Sequence, residues 1–270
     1  MTDLRAIAEA AARASGAALR THEGAYGHVR TKSTSIDLVT AADLASGVAA
    51  VTAIAERLEG ARFVVEEPEV HDLVGVTPGT LTDDEVWVID PLDGTTSFVH
   101  SYPCWSVSVS CLRDGRPVAG AVYNVPADEL TSAASGEGAT RNGTRIACTS
   151  VPSLGESLLI TGFPYDRGAL LDRQLTVLRA FLKHPVHAIR RDGSAAIDCC
   201  HVAAGRADGF WEFGLKPWDM AAGVVILAEA GAAVTGIDGE PWSVESAGII
   251  TANPTLHAAM VEIVTGTGPA

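Results

Sequence analysis

The amino-acid sequence predicts a mixed α+β (α/β) fold, and three features of its patterning lead to that prediction. Apolar residues recur at helical spacing over 3–20 and 43–59. Short β-rich runs with turn signals follow, most clearly over 106–125. The second half alternates helical segments with further β-rich runs. We therefore expect helices packed against β-sheet in a chain of 270 residues, which is long enough to bury a large core.

Two amphipathic helices are predicted to open the fold. The apolar positions of the first are Leu4, Ile7, Ala8, Ala11 and Ala18, and those of the second are Val48, Val51, Ile54, Ala55 and Leu58. Positions spaced three to four residues apart share one face of a helix. Gly60 follows the second set, and glycine there is a signal for helix termination.

The strands predicted in the first half end in acidic residues or in turns. The apolar runs 63–65 and 86–89 are each followed by acids, which is typical of buried strands that deliver side chains to a sheet edge. A hairpin is predicted over 106–125 around Asp114 and Gly115, and a second turn at Asn142 and Gly143. The polar, turn-rich segment 70–84 is predicted to be a mobile loop.

The second half is predicted to add helices over a second sheet. Helical patterns at 170–183, 194–204 and 219–230 alternate with β-rich runs near 157–161, 209–213 and 247–252. We place a soft boundary near residue 145, so that 1–145 and 146–270 form two halves of one compact unit.

Charge balance limits the possible partners. Lysine and arginine number 19 against 33 aspartates and glutamates, a formal net charge of -14. A broad basic surface for nucleic acid or an anionic membrane is therefore absent, and no direct binding to either is expected. An anionic substrate would have to be received locally, by a metal ion or by backbone amides.

Cysteine usage and the N-terminal segment predict a cytoplasmic protein. The five cysteines are odd in number, lack C-x-x-C spacing and include the adjacent Cys199 and Cys200, which fits neither a disulfide framework nor a zinc site. Asp3, Arg5 and Glu9 interrupt the first apolar stretch, so we expect neither a secretory leader nor a membrane span there.

The segment VWVIDPLDGTTSFVH, residues 86–100, has the strongest chemical signal. A strand is predicted to end at Asp90, Pro91 to form a turn, and a helix to open after Asp93 and Gly94. Two carboxylates on a tight turn beside the free amides of Gly94 and Thr95 could bind a divalent cation and a phosphate together. From this motif alone, simple turn and helix capping by the aspartates stays open.

Three more acidic elements have two possible roles each. Glu66 and Glu67 follow the run 63–65, where adjacent glutamates could also be a solvated surface feature. Asp219 precedes an apolar helix and Asp43 begins the second helix, positions where aspartate commonly serves as a cap. Capping and metal binding are compatible roles.

Taken together, these motifs resemble the inositol monophosphatase family over nearly the whole chain. The first family signature corresponds to Trp87, Ile89, Asp90, Pro91, Asp93, Gly94, Thr95 and Phe98. The second corresponds to Trp218, Asp219, Ala221, Ala222, Gly223, Glu229, Ala230 and Gly231. A D-L-V-T-x-x-D element spans 37–43, and Glu66 and Glu67 match the paired glutamates.

The sequence departs from the family pattern at four positions. These are Val65 and Pro68 on either side of the glutamates, Ser97 in place of asparagine, and Ala232 in place of glycine. Val65 and Pro68 bear on the loop that carries Glu66. No departure removes a carboxylate.

The resemblance implies a layered α-β-α-β-α sandwich of the sugar-phosphatase type and a magnesium-dependent phosphomonoesterase. It implies two to three Mg²⁺ ions per active site, one held by Glu66, Asp90 and the carbonyl of Leu92, and a second by Asp90, Asp93 and Asp219. The physics agrees, because crowded carboxylates repel one another unless a dication neutralises them. The metal and phosphate motif of residues 86–100 would lie in the first half, whereas Asp219 and the substrate-side residues would lie in the second.

The resemblance also implies the roles of the remaining site residues. Thr95, hydrogen-bonded to Asp43, would orient a metal-activated water for attack on phosphorus, with Glu66 as the third catalytic residue. The implied substrate-binding residues are Asp93, Gly94, Thr95, Gly193, Ser194, Ala195 and Glu212. For Glu212, a surface charge at a strand end is the alternative. Arg190 and Arg191 have no assigned role.

Several functions remain open within and beyond this family. Inositol monophosphate is the first candidate substrate, and histidinol phosphate is the main rival, ahead of other sugar and nucleotide phosphates. A regulatory binding protein on the same fold is the alternative from another class, since fold alone does not fix function. The resemblance further implies lithium sensitivity and a homodimer.

Overall fold

Two large β-sheets and eight α-helices make up the part of the chain described by a computed structural model, which covers residues 3–23, 30–31, 38–39 and 41–266. Asp37 and Thr40 of the D-L-V-T-x-x-D element lie outside these residues. The short strands β1 (Arg30–Thr31) and β2 (Leu38–Val39) pair with each other in antiparallel fashion.

The first large sheet has seven strands in sequence order. They are β3 (Phe63–Val65), β4 (Glu85–Asp93), β5 (Ser106–Arg113), β6 (Arg116–Asn124), β7 (Glu129–Ala134), β8 (Gly138–Arg141) and β9 (Thr144–Arg145). Strands β3 and β4 are parallel, and the remaining neighbours are antiparallel. The predicted hairpin is β5–β6, with Asp114 and Gly115 both at positive φ as its turn requires.

The second sheet has five strands in the order β11-β10-β12-β14-β13. They are β10 (Leu158–Thr161), β11 (Ala188–Arg190), β12 (Gly209–Phe213), β13 (Ala233–Gly236) and β14 (Gly248–Ala252). Strand β10 runs parallel to β11 and β12, whereas β14 is antiparallel to β12 and β13.

The helices form three layers around these sheets. They are α1 (Leu4–His22), α2 (Ala41–Ala55), α3 (Glu69–Val74), α4 (Thr95–Val99), α5 (Ala169–Lys183), α6 (Ala195–Ala203), α7 (Pro217–Glu229) and α8 (Pro254–Gly266). Helices α1 and α2 pack on the outer face of the first sheet, α6 and α7 lie between the sheets, and α5 and α8 cover the second. The predicted α-β-α-β-α sandwich is confirmed. Among the described residues, no helix is long and apolar enough to cross a membrane.

Two local predictions differ from the structure. Segment 70–84, predicted as a loop, includes most of helix α3, because Val70 is fully buried against the core and Gly75, at φ 74°, provides its C-cap. Strand β4 does not end at Asp90 but continues to Asp93, with an irregular register between them. Pro91 is accommodated there because a bulge does not require its missing N–H. The division near residue 145 stays a prediction.

One residue of the second signature has a structural contact that the sequence did not indicate. The carboxylate of Glu229, at the end of α7, accepts hydrogen bonds from the backbone N–H groups of Gly136 and Gly138 at 2.8 and 2.7 Å. It thereby ties the central helix layer to the β7–β8 turn.

We predict that Glu229→Ala lowers the free energy of unfolding by about 1–3 kcal/mol, because it leaves two backbone donors without their charged acceptor. Urea denaturation monitored by circular dichroism measures this change. Glu262→Ala on α8 is the control and should alter stability by less than about 0.5 kcal/mol. Equal effects of the two substitutions would contradict the role given to Glu229.

Candidate active site

Two parallel strands bring the first pair of acids together. Strands β3 and β4 pair with Val65 opposite Ile89, so Glu66 and Asp90 follow at the same sheet edge. The backbone N–H of Glu66 donates to the carbonyl of Ile89 at 3.1 Å, which extends this pairing by one residue. The predicted runs 63–65 and 86–89 both form strands, and the two strands are neighbours in the first sheet. Glu67 is buried, so a solvated surface pair is not what these glutamates form.

The irregular end of β4 presents two carboxylates and one carbonyl. Asp90 is buried, and its Oδ1 accepts from the N–H of Leu92 at 3.0 Å. Asp93 lies opposite Ser106 of β5. The carbonyl of Leu92 accepts from the Thr95 hydroxyl at 3.1 Å. Pro91 and the bulge therefore turn successive oxygen atoms toward the same side.

Gly94 fixes the turn that follows. Its φ is 93°, and a Cβ there would lie 2.8 Å from the carbonyl oxygen of Cys104 and 3.2 Å from that of Gly193. A side chain is therefore excluded by both conformation and space. This close approach brings Gly193, from the second half, against the β4 turn.

The N-terminus of α6 anchors Asp93. Its Oδ2 accepts from the hydroxyl of Ser194 at 2.6 Å and from the N–H of Ala196 at 2.8 Å. Ser194 is the N-cap of α6 and also accepts from the N–H of Ile197. Free N–H groups and the helix dipole both favour a carboxylate at this position.

The start of α7 supplies another acid. Oδ2 of Asp219 accepts from the backbone N–H of Lys216 at 2.7 Å, which is a capping contact in the first turn. The charges of Asp93 and Glu66 raise the pKa of Asp219, so Asp219 lies near these acids. The capping role considered from the sequence thus coexists with a position among the other acids.

These segments line one cleft. The predicted residues in its wall are Glu66, Asp90, Leu92, Asp93, Gly94, Thr95, Gly193, Ala195, Glu212 and Asp219. Glu212 is therefore not simply a surface charge. Asp43 and Ser194 do not line the cleft, and both are buried. The hydroxyl of Ser194 donates to Asp93, and the predicted role of Ser194 in substrate binding stays a prediction.

Crowding of acids shows in their pKa values. Burial raises the pKa of Asp90 well above its usual range, and the charges of Glu66, Asp93, Asp219 and Asp43 raise it further. Burial raises the pKa of Asp93 to about 6, against the opposing hydrogen bonds from α6. For Asp219, burial and then the charges of Asp93 and Glu66 raise the pKa, while the bond from the N–H of Lys216 opposes the rise.

The donor set fits a divalent cation. Buried carboxylates with raised pKa values repel one another, and a dication relieves that repulsion while accepting hard oxygen ligands. No three His, Cys, Asp or Glu side chains in 41–266 and the other described segments stand as a preformed metal-binding group. Contacts within the protein account for the lack of a preformed group among these acids. Asp90, Asp93 and Asp219 each direct at least one oxygen to a protein N–H.

The sequence analysis missed several residues of this region. The cleft wall also includes Gly162, Phe163, Tyr165, Arg191 and Leu215. The guanidinium of Arg191 opposes the rise in pKa of Glu212, which burial and then Asp93 and Asp219 bring to about 8. The sequence analysis assigns no role to Arg191. Its closeness in sequence to Gly193, an implied substrate-binding residue, is the signal that could have placed it in the cleft. Gly162 carried no motif.

A second buried acid stands behind the wall. Asp198 of α6 is buried, and its pKa is raised by burial first and then by Glu212, Asp192 and Asp93, with Arg191 opposing. The helical pattern 194–204 predicted from the sequence includes this residue but assigned it no role.

Comparison with known proteins agrees with this architecture. The model of the inositol monophosphatase family matches residues 1–266. An inositol-1-monophosphatase of Synechocystis sp. is 39% identical over 97% of this chain and 88% of that protein. A putative Nus factor SuhB of Neisseria meningitidis is 37% identical over 94% of this chain and 95% of its own length. The extragenic suppressor protein suhB of Bartonella henselae superimposes with a TM-score of 0.87 at 31% identity, covering 97% and 98% of the two chains.

The layered fold is shared with solved structures named suhB and inositol monophosphatase, and in this chain it carries a carboxylate-lined cleft. The chain belongs to the inositol monophosphatase family. Membership supports phosphatase function and leaves the substrate to be determined.

We predict that Mg²⁺ raises the thermal unfolding midpoint more at about pH 8 than at about pH 5. A carboxyl group with a raised folded pKa holds its proton more tightly when folded, so its contribution to stability falls as pH rises from the unfolded value of about 4. The folded-state pKa values of Asp93, about 6, and Glu212, about 8, set the upper end of the pH range over which this stability is lost. Cation binding offsets the loss only where the acids are ionised.

Differential scanning fluorimetry with MgCl₂ or with KCl at matched ionic strength measures the effect. Subtracting the unfolding midpoint in KCl from that in MgCl₂ at each pH cancels the effect of ionic screening. It also cancels the effect of histidines that titrate elsewhere in the protein. Equal magnesium shifts at both pH values would show that the crowded carboxylates do not bind the ion.

Proposed function

We propose that the protein hydrolyses a small phosphate monoester with Mg²⁺, and that inositol monophosphate is its substrate. The observation that carries the proposal is the convergence of Glu66, Asp90, Asp93 and Asp219 on one cleft beside the Gly94 turn. These acids come from two strand ends and a helix start, and local sequence alone would not assemble them. Their raised pKa values support a dication as partner.

The proposed ligands are Glu66, Asp90, the carbonyl of Leu92, Asp93 and Asp219. Bound magnesium supplies Lewis-acid charge for the phosphate and lowers the pKa of water. The protein's part is to hold the acids in place against their repulsion. It does so with the N–H groups of Leu92, Ala196 and Lys216.

Thr95 and Asp43 are proposed to orient the attacking water. The Thr95 hydroxyl directs its proton to the carbonyl of Leu92, so its oxygen can accept from a water in the cleft. Asp43 is buried at the start of α2, and its charge contributes to the raised pKa of Asp90. The predicted hydrogen bond from Thr95 to Asp43 stays part of the proposal and requires the Thr95 hydroxyl to turn its proton away from the Leu92 carbonyl. Glu66, which follows β3 at the same sheet edge as Asp90, is proposed as the third catalytic residue.

The alcohol portion of the substrate is proposed to contact the second half of the chain. Gly193, Ala195 and Glu212 line the cleft there, and Asp93 is within the same wall. Carboxyl and backbone groups can exchange hydrogen bonds with the hydroxyls of a polyol. Arg191 lies in the same wall, near enough to Glu212 to oppose the rise of its pKa.

A second candidate is a regulatory function, because several relatives are named Nus factor SuhB. All four proposed metal carboxylates are present, which favours catalysis as at least one function of this chain. By family resemblance, a homodimer, lithium inhibition and a cytoplasmic location belong to the same proposal. A variant that lacks phosphatase activity would separate the two candidate functions, because it would abolish catalysis and leave a regulatory function in place.

We predict magnesium-dependent phosphate release from inositol 1-phosphate, with lower turnover on histidinol phosphate, fructose 1,6-bisphosphate and 3'-phosphoadenosine 5'-phosphate. Calcium should support turnover poorly, because it is larger and accepts looser coordination. Asp219→Asn and Asp93→Asn keep side-chain size and should each lose orders of magnitude in kcat. Full turnover in excess chelator, or near-normal rates in both variants, would refute the proposal.

We predict that Thr95→Ala and Asp43→Asn each lower kcat by about 10²–10⁴-fold with little change in magnesium affinity, because both act on the water. The double variant should be hardly worse than either single one, since groups acting on one water fail as a unit. Steady-state kinetics with magnesium titration tests this. If Asp43 were only a helix cap, asparagine would replace it with little loss. Independent, multiplying losses would count against a shared water.

A further inference from the structure

Gly162 and Glu212 are neighbours at the ends of two parallel strands. Strands β10 and β12 pair with Thr161 opposite Trp211, so the next residue on each strand is Gly162 and Glu212. Both line the cleft. The carboxylate of Glu212 lies over Gly162, because a Cβ built there would stand 2.1 Å from Cδ, Oε1 and Oε2 alike.

The backbone does not explain glycine at this position. Gly162 is not among the glycines with positive φ, so an L-residue could adopt its conformation. The three nearest contacts of the added Cβ are all atoms of the Glu212 carboxylate. Because these atoms are the far end of a flexible side chain, rotating Glu212 would relieve the clash at small cost. The space above Gly162 therefore serves the position of Glu212 more than the stability of the fold.

The environment of that carboxylate is demanding. Asp93 and Asp219 repel its charge, and Arg191 attracts it. A carboxylate displaced from β10 would move within this crowded wall and lose its aim toward a ligand hydroxyl. Its location is thus set by three charges and by the missing side chain at 162.

We propose that Gly162 is a specificity-determining residue that acts through Glu212: it reserves the space in which the Glu212 carboxylate is held to bind hydroxyls of a polyol phosphate. This inference rests on the proposed function and deepens it. The residue itself contributes no polar group, so any side chain at 162 would change substrate choice before it changed the reaction at phosphorus.

A double-mutant cycle tests the inference with Gly162→Ala, Glu212→Ala and the double variant. We expect Gly162→Ala to raise KM for inositol 1-phosphate by about 10-fold, the size of one lost hydrogen bond, with kcat within about two-fold. In the Glu212→Ala background the added methyl group meets no carboxylate, so the second change should have no further effect. KM for ethyl phosphate, which has no free hydroxyl, should stay unchanged by Gly162→Ala.

Controls separate this inference from simple damage. Gly155→Ala places a Cβ in ordinary contact, at 3.6 Å or more, and should leave all parameters unchanged. If Gly162→Ala does not fold, folding of the double variant supports the clash with Glu212, and failure of both overturns the inference. Two results would overturn the role of Gly162 while leaving the proposed function intact, provided that the wild-type protein hydrolyses inositol 1-phosphate. One is an unchanged KM in Gly162→Ala. The other is a double variant whose loss is the product of the two single losses. Wild-type protein active on ethyl phosphate but on no polyol phosphate would overturn the proposed substrate.

Discussion

Repulsion among buried carboxylates is the constraint on which the rest of this site depends. Asp90, Asp93 and Asp219 face one cleft, and burial raises the pKa of each. The chain opposes this cost with N–H donors, from the bulge of β4 and from the starts of α6 and α7. Such donors hold the acids in place but do not neutralise them. A dication would complete the neutralisation, so the proposed magnesium binding would link the stability of this protein to pH.

The layered architecture follows from the same requirement. Helices α6 and α7 lie between the two sheets, where one face packs on each sheet through an apolar core. Their N-termini reach the cleft, so the central helix layer serves both packing and charge. The first sheet supplies acids at the ends of β3 and β4, and the second supplies Glu212. Neither sheet alone contains the complete cleft.

Substrate choice and phosphate chemistry depend on different parts of the cleft. The acids around the β4 turn act at phosphorus in the proposed function, whereas Glu212, Arg191 and Gly162 surround the alcohol side. Relatives with different names share the fold, from inositol-1-monophosphatase to Nus factor SuhB. Variation on the alcohol side could change the ligand without disturbing the metal carboxylates, which is consistent with function residing in sites more than in folds.

The sequence by itself determined the α+β class, the hairpin and the apolar strands that precede acids, because periodicity and turn chemistry are local properties. The choice of Glu66, Asp90, Asp93 and Asp219 as one set came from the family resemblance. It did not determine that β4 continues through Pro91, that α3 begins within a polar segment, or that Ser194 faces Asp93. These outcomes depend on partners distant in the chain. Gly162 is the clearest case, since its meaning comes from a carboxylate 50 residues away that only the β10–β12 register places above it. Tertiary structure decided these contacts because side-chain packing and charge are set by neighbours in space.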